Sequence, residues 1–234
     1  MIDVVVDGVV ASVVLDRPAA RNAVPIASWD RLAEAVEEAA ARGSVVLLRS
    51  AVPGTFCAGA DLGEFPALMA DPALPPRLRA GMARATAAIA GATVPVIAVL
   101  DGGCFGAGVA IALACDLRIA GAGAGFAVPP ARLGIGYPQR DIDRLRAVVG
   151  AGQAARLLLT GDRIDAAEAG RIGLVEMVVP DAGVAARVMA DRIAANAAES
   201  VAALRAGLRS EPGGDARFDA LFAGKALAAR LPRR

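Results

Sequence analysis

The chain opens on two apolar runs, Val4-Val5-Val6 and Val9-Val10, on either side of Asp7-Gly8. A two-residue turn signal between such runs predicts an antiparallel hairpin; its second strand continues to Leu15 and stops before Pro18. Trp29, Leu32, Ala33, Val36 and Ala40 then recur at near-helical spacing. They predict a helix over 28–42, with Ser28 as N-cap and Gly43 as the C-terminal glycine. Val45-Val46-Leu47-Leu48 is apolar at every position, the pattern of a strand buried on both faces. Residues 51–60 read as a loop, and 66–76, with four prolines, as a surface connection. A helix over 77–90 follows, then a strand over 96–100. A glycine-rich turn over 102–108 leads into an apolar helix ending near Cys115. Short strands at 117–120, 126–128 and 174–179 interrupt a remainder that is otherwise helical, with a break at Gly213-Gly214. Strands alternating with helices through the first two-thirds predict an α/β architecture with parallel pairing.

Composition narrows the chemistry. In 234 residues, charged side chains make up 21% and nearly cancel, at net +1. That balance supplies no electrostatic footprint for nucleic acid or an anionic membrane, and with 3% aromatics there is no base-stacking platform. No apolar run is long enough to span a bilayer, and the start Met1-Ile2-Asp3 lacks the basic region of a secretory signal, so the expected location is cytoplasmic. Cys57, Cys104 and Cys115 form no CxxC pair, and no structural disulfide is expected. The sequence has no histidine. His-based triads and His-containing zinc sites are therefore excluded, no metal is expected, and proton transfer falls to Asp, Glu, Tyr, Cys, Lys, a terminal group or water.

Three segments carry a resemblance: Leu15-Asp16-Arg17-Pro18 with Arg21-Asn22-Ala23-Val24; Phe56-Cys57-Ala58-Gly59-Ala60-Asp61-Leu62; and Pro95 to Gly102, running through Gly106-Ala107-Gly108 to Cys115-Asp116. Leu159-Thr160-Gly161 with Ala166 to Ala169 and Gly173-Leu174-Val175 adds a fourth. In this order and spacing the chain resembles the enoyl-CoA hydratase/isomerase family (the crotonase superfamily) over about its first 180 residues.

The resemblance implies an acyl-CoA thioester substrate, with CoA part of the substrate and no separate cofactor. A thioester that becomes an enolate gathers negative charge on its carbonyl oxygen, and two backbone N–H groups aimed there stabilise it. By resemblance these are the amides of Ala60 and Ala107, the second at the positive end of the helix that follows Gly106. Arg21, Ala23, Ala58, Gly59, Asp61, Leu62 and Gly106 fall in the segments that would line the substrate and CoA path. Arg21 is either a partner for a CoA phosphate or an exposed loop charge. Gly59-Ala60-Asp61 alone also reads as an N-capped turn, and Cys57 as a small buried side chain.

The sequence departs from the family where hydratases carry two glutamates. Ala110 and Pro130 occupy those positions, and a positioned acid or base is worth about 10²- to 10⁴-fold in rate. Asp141, in the first turn of a helix after Pro138, is the replacement candidate, against the alternative that Asp141 and Asp143 only favour the helix N-terminus and face water. Tyr137 is a second candidate; Asp61 and Glu64 are remoter ones. The resemblance further implies a spiral of ββα units over 1–180, a shortened helical, trimerising region over 181–234, and a homotrimer or dimer of trimers. Phe218 to Phe222 resembles the approach to the helix that covers the CoA adenine, with Lys225 or Arg230 as its basic residue. The implied chemistry is an isomerase or lyase step through a thioester enolate, with a non-catalytic acyl-CoA binding protein as the alternative.

Overall fold

The computed structural model describes residues 1–230; Leu231 to Arg234 and the Lys225 and Ala228 side chains lie outside the described residues. The hairpin forms from β1 (Ile2–Asp7) and β2 (Val10–Leu15), paired antiparallel with Asp7 opposite Val10. Its turn is Gly8-Val9, one residue later than the sequence suggests, because the positive φ of +61° falls on Gly8, as a turn with glycine first requires. Next come α1 (Trp29–Arg42), β3 (Val45–Ser50), β4 (Thr55–Cys57), α2 (Phe65–Ala70), α3 (Leu74–Gly91), β5 (Val96–Leu100), β6 (Gly103–Phe105) and α4 (Ala107–Ala114). The chain continues through β7 (Leu117–Gly121), β8 (Gly125–Ala127), α5 (Gln139–Thr160), β9 (Ile164–Asp165), α6 (Ala166–Arg171) and β10 (Met177–Val179), and closes with α7 (Ala182–Ala194), α8 (Ala198–Leu208), α9 (Gly214–Phe222) and α10 (Lys225–Arg230).

Two sheets result. The larger has the order β1-β2-β3-β5-β7-β10 and is parallel from β2 onward; the smaller has the order β4-β6-β8-β9. The apolar runs of β3 and β5 are continuous because both faces are covered. Val46, Leu48, Val96, Ala98 and Leu100 enter the main core with α1, α3 and α4. The alternate residues Val45, Leu47, Ile97 and Val99 pack with Ala182, Ala186 and Ala190 of α7. This is the period-two alternation of a strand sandwiched between helices.

Three sequence expectations change. The proline-rich stretch is helical: α2 covers 65–70, and Pro75 and Pro76 sit in the first turn of α3, where the missing N–H costs nothing. Gly43 is extended (φ −127°) rather than left-handed, and a Cβ there would lie 2.8 Å from the Ala11 backbone N. Close packing against β2, not helix capping, requires that glycine. Finally, the loops at 51–60 and 102–108 contain β4 and β6, three-residue strands too short to show a period.

Those two strands position the site. β4 and β6 run parallel, with Thr55 opposite Gly103 and Cys57 opposite Cys104, so the segments leaving them, Ala58-Gly59-Ala60 and Gly106-Ala107, emerge side by side. All eight residues of α4 are buried, which is why its sequence is apolar all round. α8 is tied to the core by Arg205, which bonds both Asp116 carboxylate oxygens at 2.8 Å and the Ala92 carbonyl.

Candidate active site

A cavity of about 1300 Å³ opens beside the ends of β4 and β6. Ala60 and Ala107 both line it. Around them the backbone donors are engaged: Gly59 N–H meets Cys57 Sγ at 3.4 Å, Asp61 N–H the Val24 carbonyl at 3.2 Å, and Gly106 N–H the Ala127 carbonyl at 2.9 Å. The Ala60 and Ala107 amides have no acceptor among the described residues. Unpaired donors beside a cavity are the exception in folded proteins and suit an incoming oxygen. Ala107 is the first residue of α4, so its N–H has no intrahelical partner and carries the positive end of the helix dipole.

Backbone geometry brings the two amides together. Gly59 takes φ +98°, and a Cβ built on it would lie 2.8 Å from the Phe105 carbonyl oxygen and 3.0 Å from the Ala107 nitrogen. Only glycine allows both the conformation and the approach. Gly106 has φ 51° and ψ −120°, which turns the chain from β6 into α4. Gly108 sits against Cys57, where a Cβ would approach the Cys57 carbonyl oxygen to 2.5 Å. Cys57 itself is fully buried, and burial pushes its thiol up to about 12. It is a packing residue.

The loop over 17–24 forms an adjoining wall through Arg21, Ala23 and their neighbours. Its anchor is Asn22, which is 3% exposed and left-handed (φ 56°), a conformation asparagine tolerates better than most residues. Asn22 donates to Ser50 Oγ at 2.7 Å and to the Phe56 carbonyl at 3.0 Å, and accepts from Arg17 N–H at 2.7 Å. Val24 and Ala60 form a parallel bridge. Arg17 reaches across to Asp61 at 2.7 Å, and this guanidinium, aided by Gly63 N–H, lowers the Asp61 carboxyl below its ordinary range. Sequence reasoning missed this pairing and the hub role of Asn22, although both residues stand in the motif.

Leu62, Ala58, Gly106 and Tyr137 also line the cavity, while Gly59 is buried beneath it. Arg21 lines the cavity and is exposed. Asp61 is the only carboxylate in the wall among the described residues, and it is already paired. Ala110 is buried within α4, and Pro130 lies in the wall. Tyr137 donates its hydroxyl to the Gly106 carbonyl at 2.9 Å, one residue from Ala107. Burial, and secondarily the Asp141 carboxylate, push its phenol well above the ordinary value, which favours the neutral hydroxyl.

Asp141 is not among the residues that line the cavity. It is 3% exposed and meets Arg144 at 3.3 Å. Burial raises its carboxyl despite that arginine. The α5 helix begins at Gln139, and Asp141 in its first turn meets Arg144, which also donates to the Thr86 carbonyl of α3 at 3.4 Å. Asp143 is exposed and accepts from Gln139 at 2.8 Å, and Glu64 accepts from Ile26 N–H at 2.7 Å outside the wall. Arg230 donates to the Ala195 carbonyl at 3.0 Å.

A model of the enoyl-CoA hydratase/isomerase family matches residues 6–223. The chain is 37% identical over 175 residues to "Probable enoyl-CoA hydratase 2, mitochondrial" of Arabidopsis thaliana, covering 74% of this chain and 58% of that one. It is 38% identical over 177 residues to enoyl-CoA hydratase domain-containing protein 2, mitochondrial, of Mus musculus, covering 73% and 57%. The chain thus spans less than two thirds of the length of either relative. A crystal structure of an enoyl-CoA hydratase/isomerase family protein from Hyphomonas neptunium superposes with a TM-score of 0.92 at 35% identity, covering 100% of this chain and 96% of that one. No helix among the described residues is long and apolar enough to cross a membrane. Fold and sequence agree along nearly the whole chain, which belongs to the enoyl-CoA hydratase/isomerase family.

Proposed function

We propose that the chain binds an acyl-CoA thioester with its carbonyl oxygen between the Ala60 and Ala107 amides and acts on it through an enolate. The observation that carries this reading is the pair of unpaired N–H groups, held together by Gly59 and facing a large cavity. Two such donors lower the cost of charge on the oxygen, each by roughly 2.7–4 kcal/mol in a water-excluded site. Hydration asks for groups that hold and activate a water, and the wall offers one carboxylate, already committed to Arg17. A decarboxylating lyase step asks less of these residues, because the C–C bond broken as CO2 departs leaves its electron pair on the α-carbon, the pair that a base would otherwise release. The carbanion is then protonated from Tyr137 or water. Isomerisation needs a base as well, and ranks behind.

The paired state of Asp61 also favours a second reading, an acyl-CoA binding protein without turnover. One experiment separates the two. A panel of CoA thioesters is incubated with the protein in heavy water, and the masses of all CoA species are followed. Protein-dependent deuterium uptake or loss of mass supports the enzyme; confirmed binding with no mass change supports the binding protein. The same reading extends to assembly. Leu204, Leu208, Phe218 and Phe222 stand exposed on α8 and α9, with the two Phe rings 5.0 Å apart, an apolar face suited to contact with further copies of the chain. A trimer or hexamer in sedimentation supports it, and a monomer refutes it.

A further inference from the structure

We propose that Arg79 makes the cavity selective for acyl chains that end in a carboxylate, an inference that rests on the acyl-CoA reading above. α3 contributes Pro75, Leu78, Arg79 and Met82 to the wall, spaced i, i+3, i+4 and i+7, so they share one face of the helix. Further along, Met82, Ala85, Thr86 and Ile89 are buried, and Gly81 packs so closely on Trp29 that a Cβ there would lie 2.8 Å from the Trp29 Cβ. α3 is therefore anchored along its length, and its cavity-facing stripe is held in place. Within that stripe Arg79 is the one charged residue, flanked by apolar neighbours. It makes no hydrogen bond or ion pair among the described residues, whereas Arg84, one and a half turns on, meets Asp30 at 3.1 Å.

The charge balance of the wall points to an anion. Among the described residues its only carboxylate, Asp61, is neutralised by Arg17, which leaves Arg21 and Arg79 as the cations of the wall without an acidic partner there. Their positions differ. Arg21 is beside Ala58, whose N–H meets the Arg21 carbonyl at 3.0 Å, and the parallel bridge of Val24 with Ala60 fixes the direction of the two segments. From Ala60 the chain runs through Leu62 into α2, which contacts α3, the helix that carries Arg79. With the thioester carbonyl at Ala60, Arg21 lies on the loop paired with that segment and Arg79 on α3, and both line the same cavity. If the CoA phosphates lie toward Arg21, the acyl chain runs along the apolar stripe toward Arg79. Arg79 is exposed at the cavity's edge, where an arginine beside apolar neighbours binds a carboxylate through charge-assisted, bidentate hydrogen bonds and offers a methyl terminus only the water it already holds.

The test is calorimetric titration of the full chain with CoA, with acyl-CoAs of four to eight carbons, and with the ω-carboxyacyl-CoA of each length. At the best length the carboxylate form is expected to bind about 2- to 5-fold more tightly than its neutral counterpart, the range of an exposed ion pair. Arg79→Gln should abolish that difference and leave the neutral thioesters and CoA unchanged. Arg77→Gln, an exposed neighbour outside the wall, should preserve it. Neutral thioesters that bind with no carboxylate preference at any length, or a preference that survives Arg79→Gln, overturn the inference and leave the acyl-CoA reading standing. Equal weakening of every ligand, CoA included, assigns Arg79 to a phosphate and overturns it too. Failure of every thioester to bind overturns both.

Discussion

Gly59→Ala tests whether the approach of the two loops is what makes the site. The left-handed φ of +98° costs an L-residue about 1–2 kcal/mol. The added methyl meets the Phe105 carbonyl oxygen at 2.8 Å and the Ala107 nitrogen at 3.0 Å, both backbone atoms in β6 and α4, which give way only by moving those elements. Overpacking of this kind costs about 1–3 kcal/mol. Together the destabilisation is about 2–5 kcal/mol, and at about 2–4 °C per kcal/mol for a chain of this size the melting temperature falls by roughly 4–20 °C. The same shift separates the Ala60 and Ala107 amides. Thioester affinity, measured by titration below the melting range, falls about tenfold or more, and the lowering of the thioester carbonyl stretch on binding, read by difference infrared spectroscopy, is lost. Gly91→Ala is the control: it ends α3 with open space around it, and the variant stays within about 1 kcal/mol of the parent. A Gly59→Ala protein that melts and binds as the parent does refutes the argument. One that melts low but keeps parental affinity and the infrared shift shows that the close approach serves stability alone and that other donors hold the carbonyl.

Tyr137→Phe removes the hydroxyl that meets Gly106, so turnover of the true substrate should drop by about 10²- to 10⁴-fold with binding within a few-fold; unchanged turnover assigns the proton to water. Asp61 is held below its ordinary range by Arg17 and contributes stability that is present above the unfolded carboxyl value of about 3.9 and is lost as pH falls through the lowered folded value. The stability gap between the parent and Asp61→Asn should therefore be full at neutral pH and close in acid below that value; a gap that persists in acid removes the ion pair as its cause. Arg205→Met leaves the Asp116 carboxylate without its main partner and should cost about 3 kcal/mol in denaturant unfolding, since breaking a largely buried pair strands a charge. A loss below about 1 kcal/mol would mean that α8 is held by packing instead.

What the sequence by itself determined is what local physics decides. The strands β3 and β5 are legible because continuous apolar runs admit one arrangement, burial on both faces, and α1 because its apolar positions repeat at helical spacing. Glycines at 59 and 106 already mark backbone that L-residues avoid, and the chain's order of motifs points to the family before any coordinate. The tertiary structure decided the rest. β4 and β6 are three residues each, and strands that short exist only because they pair with one another, a contact some 48 residues apart along the chain that no window of sequence contains. Gly43 and Gly108 look like capping or turn glycines, but the neighbours that require them, Ala11 and Cys57, are supplied by other elements. Asp141 is the clearest case. Its place in the first turn of a helix was readable, but which way that turn faces depends on how α5 lies against the rest of the molecule, α4 above all. The structure turns the carboxylate away from the cavity to Arg144, and places Arg79, on a helix the motifs do not reach, in the wall.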